Sequence, residues 1–239
     1  NKRVNEKEMR KDLKKSLEEL KTDYIDIYML HRDDPDTDVA VAVETFNAMH
    51  EEGNIGAFGA SNWTHTRIEE ANEYAYKHNL IPFSVSSPNF CLARQIEDPW
   101  GGGCVNISGP ENQEARAWYE KNQMPVIAYA SLGRGFFSGR MKSEYADHAS
   151  DYLDSFAMTG YACSDNFERL RRCEIIAERH GVTVAQIAMN WIFSHPLNIF
   201  AIASMSKADR MKANREALLL QLSDEEIAYL DLETPEFCG

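Results

Sequence analysis

Apolar residues recur along this chain in two alternating patterns. In residues 6–21, Met9, Leu13 and Leu17 repeat every four residues, a spacing typical of one face of a helix. Residues 24–30 instead form a short, mostly apolar run that is rich in isoleucine and tyrosine, which predicts a β-strand. The alternation continues along the chain. It therefore predicts parallel βαβ units and an α/β fold.

The alternation predicts five strands and eight helices. The strands are expected at 24–30, 55–60, 83–87, 126–130 and 199–203. Helices are expected at 6–21, 38–52, 66–78, 111–122, 165–180, 183–195 and 208–216, with a last one starting at Ser223. Capping boxes are expected at Asn5 with Glu8 and at Thr183 with Gln186. Residues 91–110 and 136–164 show no period and predict two long irregular loops at the ligand end of the sheet.

The composition argues against several kinds of partner and site. The 239 residues carry 38 acidic and 25 basic side chains, a formal charge of −13, which argues against nucleic acid or an anionic membrane as partner. No apolar run approaches the roughly 20 residues of a membrane span, and the polar start does not resemble a signal peptide. Five scattered cysteines without a CxxC pair predict reduced thiols in the cytoplasm. The dispersed histidines predict no metal site.

The residues that follow the predicted strands form a collinear set of short motifs. They are Leu30-His31-Arg32-Asp33, Gly59-Ala60-Ser61-Asn62-Trp63, Ser87-Pro88-Asn89-Phe90, Tyr129-Ala130-Ser131-Leu132-Gly133 and Ala203-Ser204-Met205-Ser206-Lys207, followed by Arg210 and Asn214. In this order and spacing they resemble the aldo-keto reductases, NADPH-dependent carbonyl reductases built on a TIM barrel. The resemblance covers about residues 5–230. It implies one domain, residues 1–239, that is an incomplete (β/α)₈ barrel of about five parallel strands with surrounding helices.

The resemblance also implies what this chain does not carry. Family members begin with three further strands, which hold an aspartate, the proton-donating tyrosine and a lysine. Only a few residues precede the helix at 6–21, so none of these three has a counterpart. Of the four catalytic residues typical of the family, His31 alone has a counterpart in this chain. The chain does not begin with methionine, which leaves open that it is a piece of a longer protein. Carbonyl reduction by residues 1–239 alone is therefore not expected.

The same comparison assigns a cofactor role to residues at the strand ends. Ser61 and Asn62 correspond to the pair that holds the nicotinamide carboxamide, and Ser87 replaces the usual longer glutamine. Tyr129 corresponds to the aromatic residue on which nicotinamide stacks. The pyrophosphate loop corresponds to Ser131, Leu132 and Arg134, and the clamp for the adenosine 2′-phosphate corresponds to Ser204, Ser206, Lys207, Arg210 and Asn214. NADPH binding is expected to be weak or absent in this chain alone.

Each of these assignments has a structural alternative. His31 could be a buried histidine bonded to backbone, and Asn62 could be a glycosylation acceptor or the cap of the next helix. Tyr129 could be a core aromatic residue, and Arg134 a solvated surface arginine. The residues from Lys207 to Asn214 could form a plain basic helix face.

Three functions remain open at this point. The chain could be part of an active reductase that acts on a small carbonyl substrate, a degenerate binding module without catalysis, or a subunit completed by another chain. A five-stranded parallel sheet would leave two bare edges, at 24–30 and 199–203, neither protected by lysine or proline. Self-association through these edges or the inner face of the sheet is therefore expected.

Overall fold

The computed structural model describes residues 3–204 and 208–235, and in them five strands form one parallel sheet. The strands are β1 (Ile25–Leu30), β2 (Ile55–Ser61), β3 (Val85–Ser87), β4 (Val126–Ala128) and β5 (Ile199–Ala201). Their spatial order is the chain order, β1-β2-β3-β4-β5, and every pair is parallel. The prediction of an incomplete (β/α)₈ barrel is confirmed, because consecutive parallel strands with covering helices are the repeating unit of that fold.

Helices connect the strands and cover one face of the sheet. They are α1 (Glu6–Leu20), α2 (Val39–Glu51), α3 (His65–Lys77), α4 (Gln113–Asn122), α5 (Ser155–Tyr161), α6 (Ser164–His180), α7 (Val184–Phe193), α8 (Ala208–Glu216) and α9 (Asp224–Leu230). Short 3₁₀ helices lie at Pro110–Asn112, Gly133–Gly135, Ser143–Asp151 and Ala217–Leu219. Every helix predicted from the sequence is present, with ends that differ by one or two residues.

Capping side chains explain where several helices begin. The Thr183 hydroxyl and the Gln186 side chain exchange bonds with each other's backbone at the start of α7, so this capping box is confirmed. A second box, Ser223 with Glu226, starts α9. At α1 the Asn5 side chain accepts from the Glu8 N–H, but Glu8 forms an ion pair with Arg3 at 2.7 Å. The expected box at Asn5 is therefore only half formed.

The core lies between the sheet and the helices. Phe46 of α2 stacks on Phe58 of β2 at 5.1 Å between ring centroids, and Phe83 meets both rings edge-on. At Gly59 a Cβ atom would lie 1.8 Å from the carbonyl oxygen of Val85 on the adjacent strand. Because any side chain would collide with that strand, the close pairing of β2 with β3 requires glycine here.

One of the two segments predicted as irregular is mostly helical. Residues 136–164 contain the 3₁₀ helix Ser143–Asp151 and α5, so the prediction of a long loop there is wrong. Helical periodicity was hidden because each piece is short and α5 depends on a cap, Asp154, whose side chain accepts from the N–H of Ala157. The other segment, 91–110, does run without a regular strand or α-helix.

Both edges of the sheet are open within residues 3–204 and 208–235. β1 pairs only with β2, and β5 pairs only with β4. Three apolar side chains at these edges, Ile27, Phe200 and Ile202, are half or more exposed. Within the same ranges, no helix has both the length and the apolar content required to cross a membrane. The four cysteines described, Cys91, Cys104, Cys163 and Cys173, are all free thiols.

Candidate active site

A cleft of about 410 Å³ opens at the carboxyl ends of the first four strands. Five residues that the sequence singled out line it: His31 after β1, Ser61 and Asn62 at the end of β2, Ser87 at the end of β3, and Tyr129 after β4. The carboxyl ends of parallel strands meet at one edge, so residues far apart in sequence become neighbours there. The predicted convergence of these strand ends on one site is therefore present in the structure.

Asn62 is the centre of the hydrogen bonds in the cleft. Its Nδ2 donates to the His31 carbonyl at 2.9 Å and to the Ser61 Oγ at 3.1 Å. Its Oδ1 accepts from the Tyr129 hydroxyl at 2.7 Å and from the Val105 N–H at 3.2 Å. The residue is 5% exposed and has a positive φ of 60°, a conformation that asparagine tolerates better than most residues. Asn62 thus joins three strand ends to the 91–110 segment.

Asn62 does not cap the following helix, as the alternative interpretation had it. The N-cap of α3 is Thr64, whose Oγ1 accepts from the N–H of Arg67 at 3.2 Å. This releases the Asn62 amide to face the cleft. Threonine, like asparagine, is a favourable N-cap residue.

Hydroxyl groups at the strand ends fasten one strand to the next. Ser61 Oγ donates to the Ser87 carbonyl at 2.8 Å, and Ser87 Oγ donates to the Ile127 carbonyl at 2.7 Å. The Oγ of the buried Ser131 lies 3.1 Å from the Ala128 carbonyl and 2.9 Å from the Ile202 carbonyl, and its single O–H proton is shared between them. This hydroxyl links β4 to the residues after β5. These hydroxyls keep lone pairs free to accept a further hydrogen bond.

Tyr129 forms an aromatic wall of the cleft together with Trp100. The two ring centroids lie 5.9 Å apart at 74°, an edge-to-face contact. Burial, and then the neighbouring Cys104 thiol, raises the pKa of Tyr129. The phenol therefore keeps its proton, which it donates to Asn62.

A turn in the 91–110 segment places Trp100 in the cleft. The Asp98 carboxylate accepts from the backbone N–H of Trp100 and of Cys104, each at 2.8 Å, and closes a loop over three glycines with positive φ. Although partial burial opposes it, these N–H bonds lower the pKa of Asp98. The sequence Trp100-Gly101-Gly102-Gly103 is conspicuous, but no local pattern predicts that Trp100 lies beside Tyr129, 29 residues later in the chain.

Residues missed by the sequence reasoning complete the lining of the cleft. They are Arg32, Trp100, Cys104 and Ile202. Arg32 directly follows His31, and its Nη1 lies 2.8 Å from the Cys104 Sγ. Its position beside a predicted site residue was the only signal available. The His31 side chain is exposed and has no hydrogen-bond partner in the described part of the chain, so it is not a buried, backbone-bonded histidine.

Arg134 and Leu132 lie next to the cleft but outside its lining. The Arg134 guanidinium pairs with Asp154 at 2.8 Å and packs over the rings of Trp100 and Phe156. This pair lowers the pKa of Asp154. The Leu132 side chain packs against the core. Arg134 thus bridges the 91–110 segment and α5 in this structure.

The residues assigned to the adenosine end lie on and before α8. Ser204 and Arg210 are exposed, Asn214 is partly buried, and α8 itself has no buried residue. Ser206 and Lys207 lie outside the described residues. Arg210 forms no ion pair within the ranges described, whereas Lys212 is 3.9 Å from Glu216. None of Ser204, Arg210 and Asn214 lines the hydrogen-bonded cleft.

Comparison with known proteins agrees with this arrangement. The sequence model of the aldo/keto reductase family matches residues 1–232. The chain belongs to the aldo/keto reductase family. A thermostable aldo-keto reductase, Tm1743, solved with the inhibitor epalrestat, superposes with a TM-score of 0.69 at 23% identity, over 96% of this chain and 67% of that one. That likeness concerns the fold.

Curated aldo-keto reductases are distant in sequence from this family member. Aldo-keto reductase str7 of Strobilurus tenacellus is 25% identical over 89% of this chain and 59% of its own length. YhdN of Bacillus subtilis is 24% identical over 90% and 60%, and norsolorinic acid reductase of Aspergillus flavus is 25% identical over 96% and 53%. The chain thus spans between about half and three fifths of the length of these relatives.

Proposed function

We propose that this chain carries the nicotinamide-dinucleotide side of an NADPH-dependent carbonyl reductase. The observation that carries the proposal is the hydrogen-bonded group centred on Asn62, which brings Ser61, Tyr129 and the His31 backbone together at one cleft. Carboxyl ends of barrel strands are where TIM-barrel enzymes place their active sites. The family membership supports the same assignment.

The cleft suits the nicotinamide end of the cofactor in its chemistry. Tyr129 offers an aromatic surface, and Ser61 and Ser87 offer hydroxyl oxygens that can accept from an amide N–H. Asn62 differs, because both of its polar atoms already have two partners each. It would therefore bind a carboxamide only by exchanging an internal bond.

The phosphate end is supported by charge. Exposed Arg210, with Ser204 and Asn214 nearby in sequence, can donate charge-assisted bonds to a 2′-phosphate. Arg134 contacts Asp154 through Nε and Nη2, so a pyrophosphate would either compete with Asp154 for this guanidinium or use its Nη1. The bound cofactor would supply the hydride, and His31, at the cleft mouth, would orient a carbonyl oxygen by donating a hydrogen bond to it.

Residues 1–239 by themselves are proposed to reduce carbonyls at no meaningful rate. The family's tyrosine, lysine and aspartate have no counterparts among them, and a lost general acid costs roughly 10²–10⁴-fold in rate. The test is NADPH oxidation at 340 nm with a simple aldehyde, using the purified chain and its His31→Ala variant. Turnover that His31→Ala abolishes would contradict the proposal.

A binding module without catalysis is the second candidate. The observation that favours it is that the cleft is already satisfied internally: Asn62 has four partners, and Trp100 lies against Tyr129. Calorimetric titration with NADPH and NADH separates the candidates. Weak binding that prefers NADPH supports the cofactor assignment, and no binding of either dinucleotide favours a module that has lost the cofactor.

A subunit completed by a second copy of the chain is proposed for the open sheet. Unpaired strand edges with exposed apolar side chains recruit other chains unless they are protected. Light scattering at increasing concentration should show association that Ile27→Lys or Phe200→Lys reduces. The control is Leu219→Lys, because Leu219 is 82% exposed and belongs to a 3₁₀ helix and not to an edge strand. A monomer at all concentrations would refute association.

A further inference from the structure

A second, smaller cavity lies outside the cleft, among the helices. It measures about 140 Å³ and is bordered by Arg116 of α4, Arg169 of α6, Trp191 of α7 and Asp231, just after α9. A cavity of this size is well below the roughly 300–1,000 Å³ typical of sites for drug-sized ligands. It could accept a small ion but not a dinucleotide. None of its residues belongs to the candidate active site.

Arg169 is a buried cation with weak partners. The residue is 7% exposed, and its guanidinium makes two long hydrogen bonds, 3.3 Å to the Asn166 Oδ1 and 3.5 Å to the Asp231 carbonyl. It forms no ion pair with any carboxylate in residues 3–204 or 208–235. A guanidinium has five N–H donors, and a buried charge normally has an opposite charge or good hydrogen bonds. Arg169 therefore has donors to spare beside the cavity.

Arg116 supplies a second guanidinium with spare donors. Its Nη1 donates to the carbonyls of Ile107 and Gly109 at 2.7 and 2.6 Å. Its Nε and Nη2 have no hydrogen-bond partner in the described part of the chain. Burial lowers the pKa of both Arg116 and Arg169, yet an arginine stays charged at any ordinary pH. Two positive charges thus border one small cavity.

Asp231 attracts both guanidinium groups, which partly offsets the effect of burial on the pKa of each, but it forms an ion pair with neither in the described residues. Its Oδ1 accepts from the Trp191 Nε1 at 3.0 Å. Burial raises the pKa of Asp231 to about 6. Glu233 is exposed, and Arg94 at the rim is paired with Glu111. The unused donors therefore point to an anionic ligand.

We propose that this cavity binds a small tetrahedral oxyanion, inorganic phosphate or sulfate, between Arg116 and Arg169. Charge-assisted bonds from guanidinium groups are the strongest hydrogen bonds that side chains offer to such an ion, and their planar fork matches two of its oxygens. The proposal is independent of the cofactor assignment, because no residue of the cleft is involved.

The test is calorimetric titration of the purified chain with sodium sulfate and with sodium phosphate, at constant ionic strength set by chloride. Saturable binding of one ion per chain is expected, weakened at least tenfold by Arg169→Gln and by Arg116→Gln. The matched control is Arg140→Gln, which removes the same charge from an exposed arginine and should leave the affinity unchanged. An equal loss in the Arg140 variant would show binding by net charge alone and would overturn the site.

The arginine variants could lose binding only because they misfold. A variant that is expected to bind more tightly controls for this. Asp231→Asn keeps an acceptor for Trp191 and removes the carboxylate whose charge acts on both arginines, so sulfate affinity at pH 7.5 should rise severalfold. A damaged fold would not produce that gain. No saturable binding by the wild-type chain, or weaker binding by Asp231→Asn, would refute the proposal.

Discussion

The cleft at the strand ends and the surface of α8 both carry polar residues assigned to the same cofactor, yet they differ in how the fold uses those residues. In the cleft, Asn62 is buried and has four hydrogen-bond partners. On α8, Arg210 is exposed and the helix buries none of its residues. A residue at a site can therefore also hold the fold together, and substitutions in the two regions will have different consequences.

Asn62→Ala should give the largest effect. Four hydrogen bonds, each worth about 0.5–1.5 kcal/mol net, are lost, and alanine at positive φ adds roughly 1 kcal/mol. We expect the free energy of unfolding in urea to fall by about 3–7 kcal/mol. Asn62→Gly is the control, because it loses the same bonds without the backbone strain and should be less destabilised than alanine. A loss below 1 kcal/mol would contradict the prediction that substitutions in the cleft destabilise the fold more than substitutions on α8.

Tyr129→Phe should give an intermediate effect. It removes only the hydroxyl that donates to Asn62 at 2.7 Å, and Asn62 Oδ1 keeps its bond from the Val105 N–H. The expected loss of unfolding free energy is about 1 kcal/mol at pH 7. If the variant is as stable as the wild type, the hydroxyl contributes nothing to the network.

The difference in stability between wild type and Tyr129→Phe should also depend on pH. The pKa of Tyr129 is raised in the folded chain, by burial first, while an unfolded tyrosine ionises near pH 10. The folded state therefore binds the proton more tightly, and its stability falls as pH rises above about 10, by at most 1.4 kcal/mol per unit from this group. The advantage of wild type over Tyr129→Phe should disappear by about pH 11. An advantage that grows with pH would contradict the raised pKa.

Arg210→Ala should give the smallest effect on stability, within about 0.5 kcal/mol, because the side chain is exposed and unpaired within the described ranges. Any preference of the chain for NADPH over NADH should nevertheless fall roughly tenfold, since a charge-assisted bond is worth about 1.5–3 kcal/mol. Met211→Ala, an exposed truncation on the same helix, should leave that preference intact. If wild type and Arg210→Ala show the same preference for NADPH over NADH, the assignment of Arg210 to the 2′-phosphate is wrong.

Much of the site was predictable because its residues follow strands. His31, Ser61, Ser87 and Tyr129 each stand within two residues of a strand end, and parallel strands bring such ends together. Trp100 and Cys104 were not predictable in this way. They reach the cleft through a loop whose path depends on the Asp98 carboxylate, a contact that leaves no periodic signal.

The cap of α3 shows a second limit. The sequence alone allowed Asn62 as the cap of the next helix, whereas Thr64 is the N-cap in the structure. The partners of Asn62 lie 31, 43 and 67 positions away in the chain, apart from the adjacent Ser61. Local propensity carries no information about contacts at such separations.

The order of the strands and helices, their parallel arrangement and the strand-end motifs could be predicted from the sequence, because hydrophobic periodicity and capping are local properties of the chain. The tertiary structure is needed to tell which polar groups already have hydrogen-bond or charge partners. It showed Asn62 fully bonded, Arg134 paired with Asp154, and Arg116 and Arg169 left with spare donors at one cavity. The physical reason is that hydrogen bonding and charge compensation depend on distances in space, which fold topology sets and sequence spacing does not.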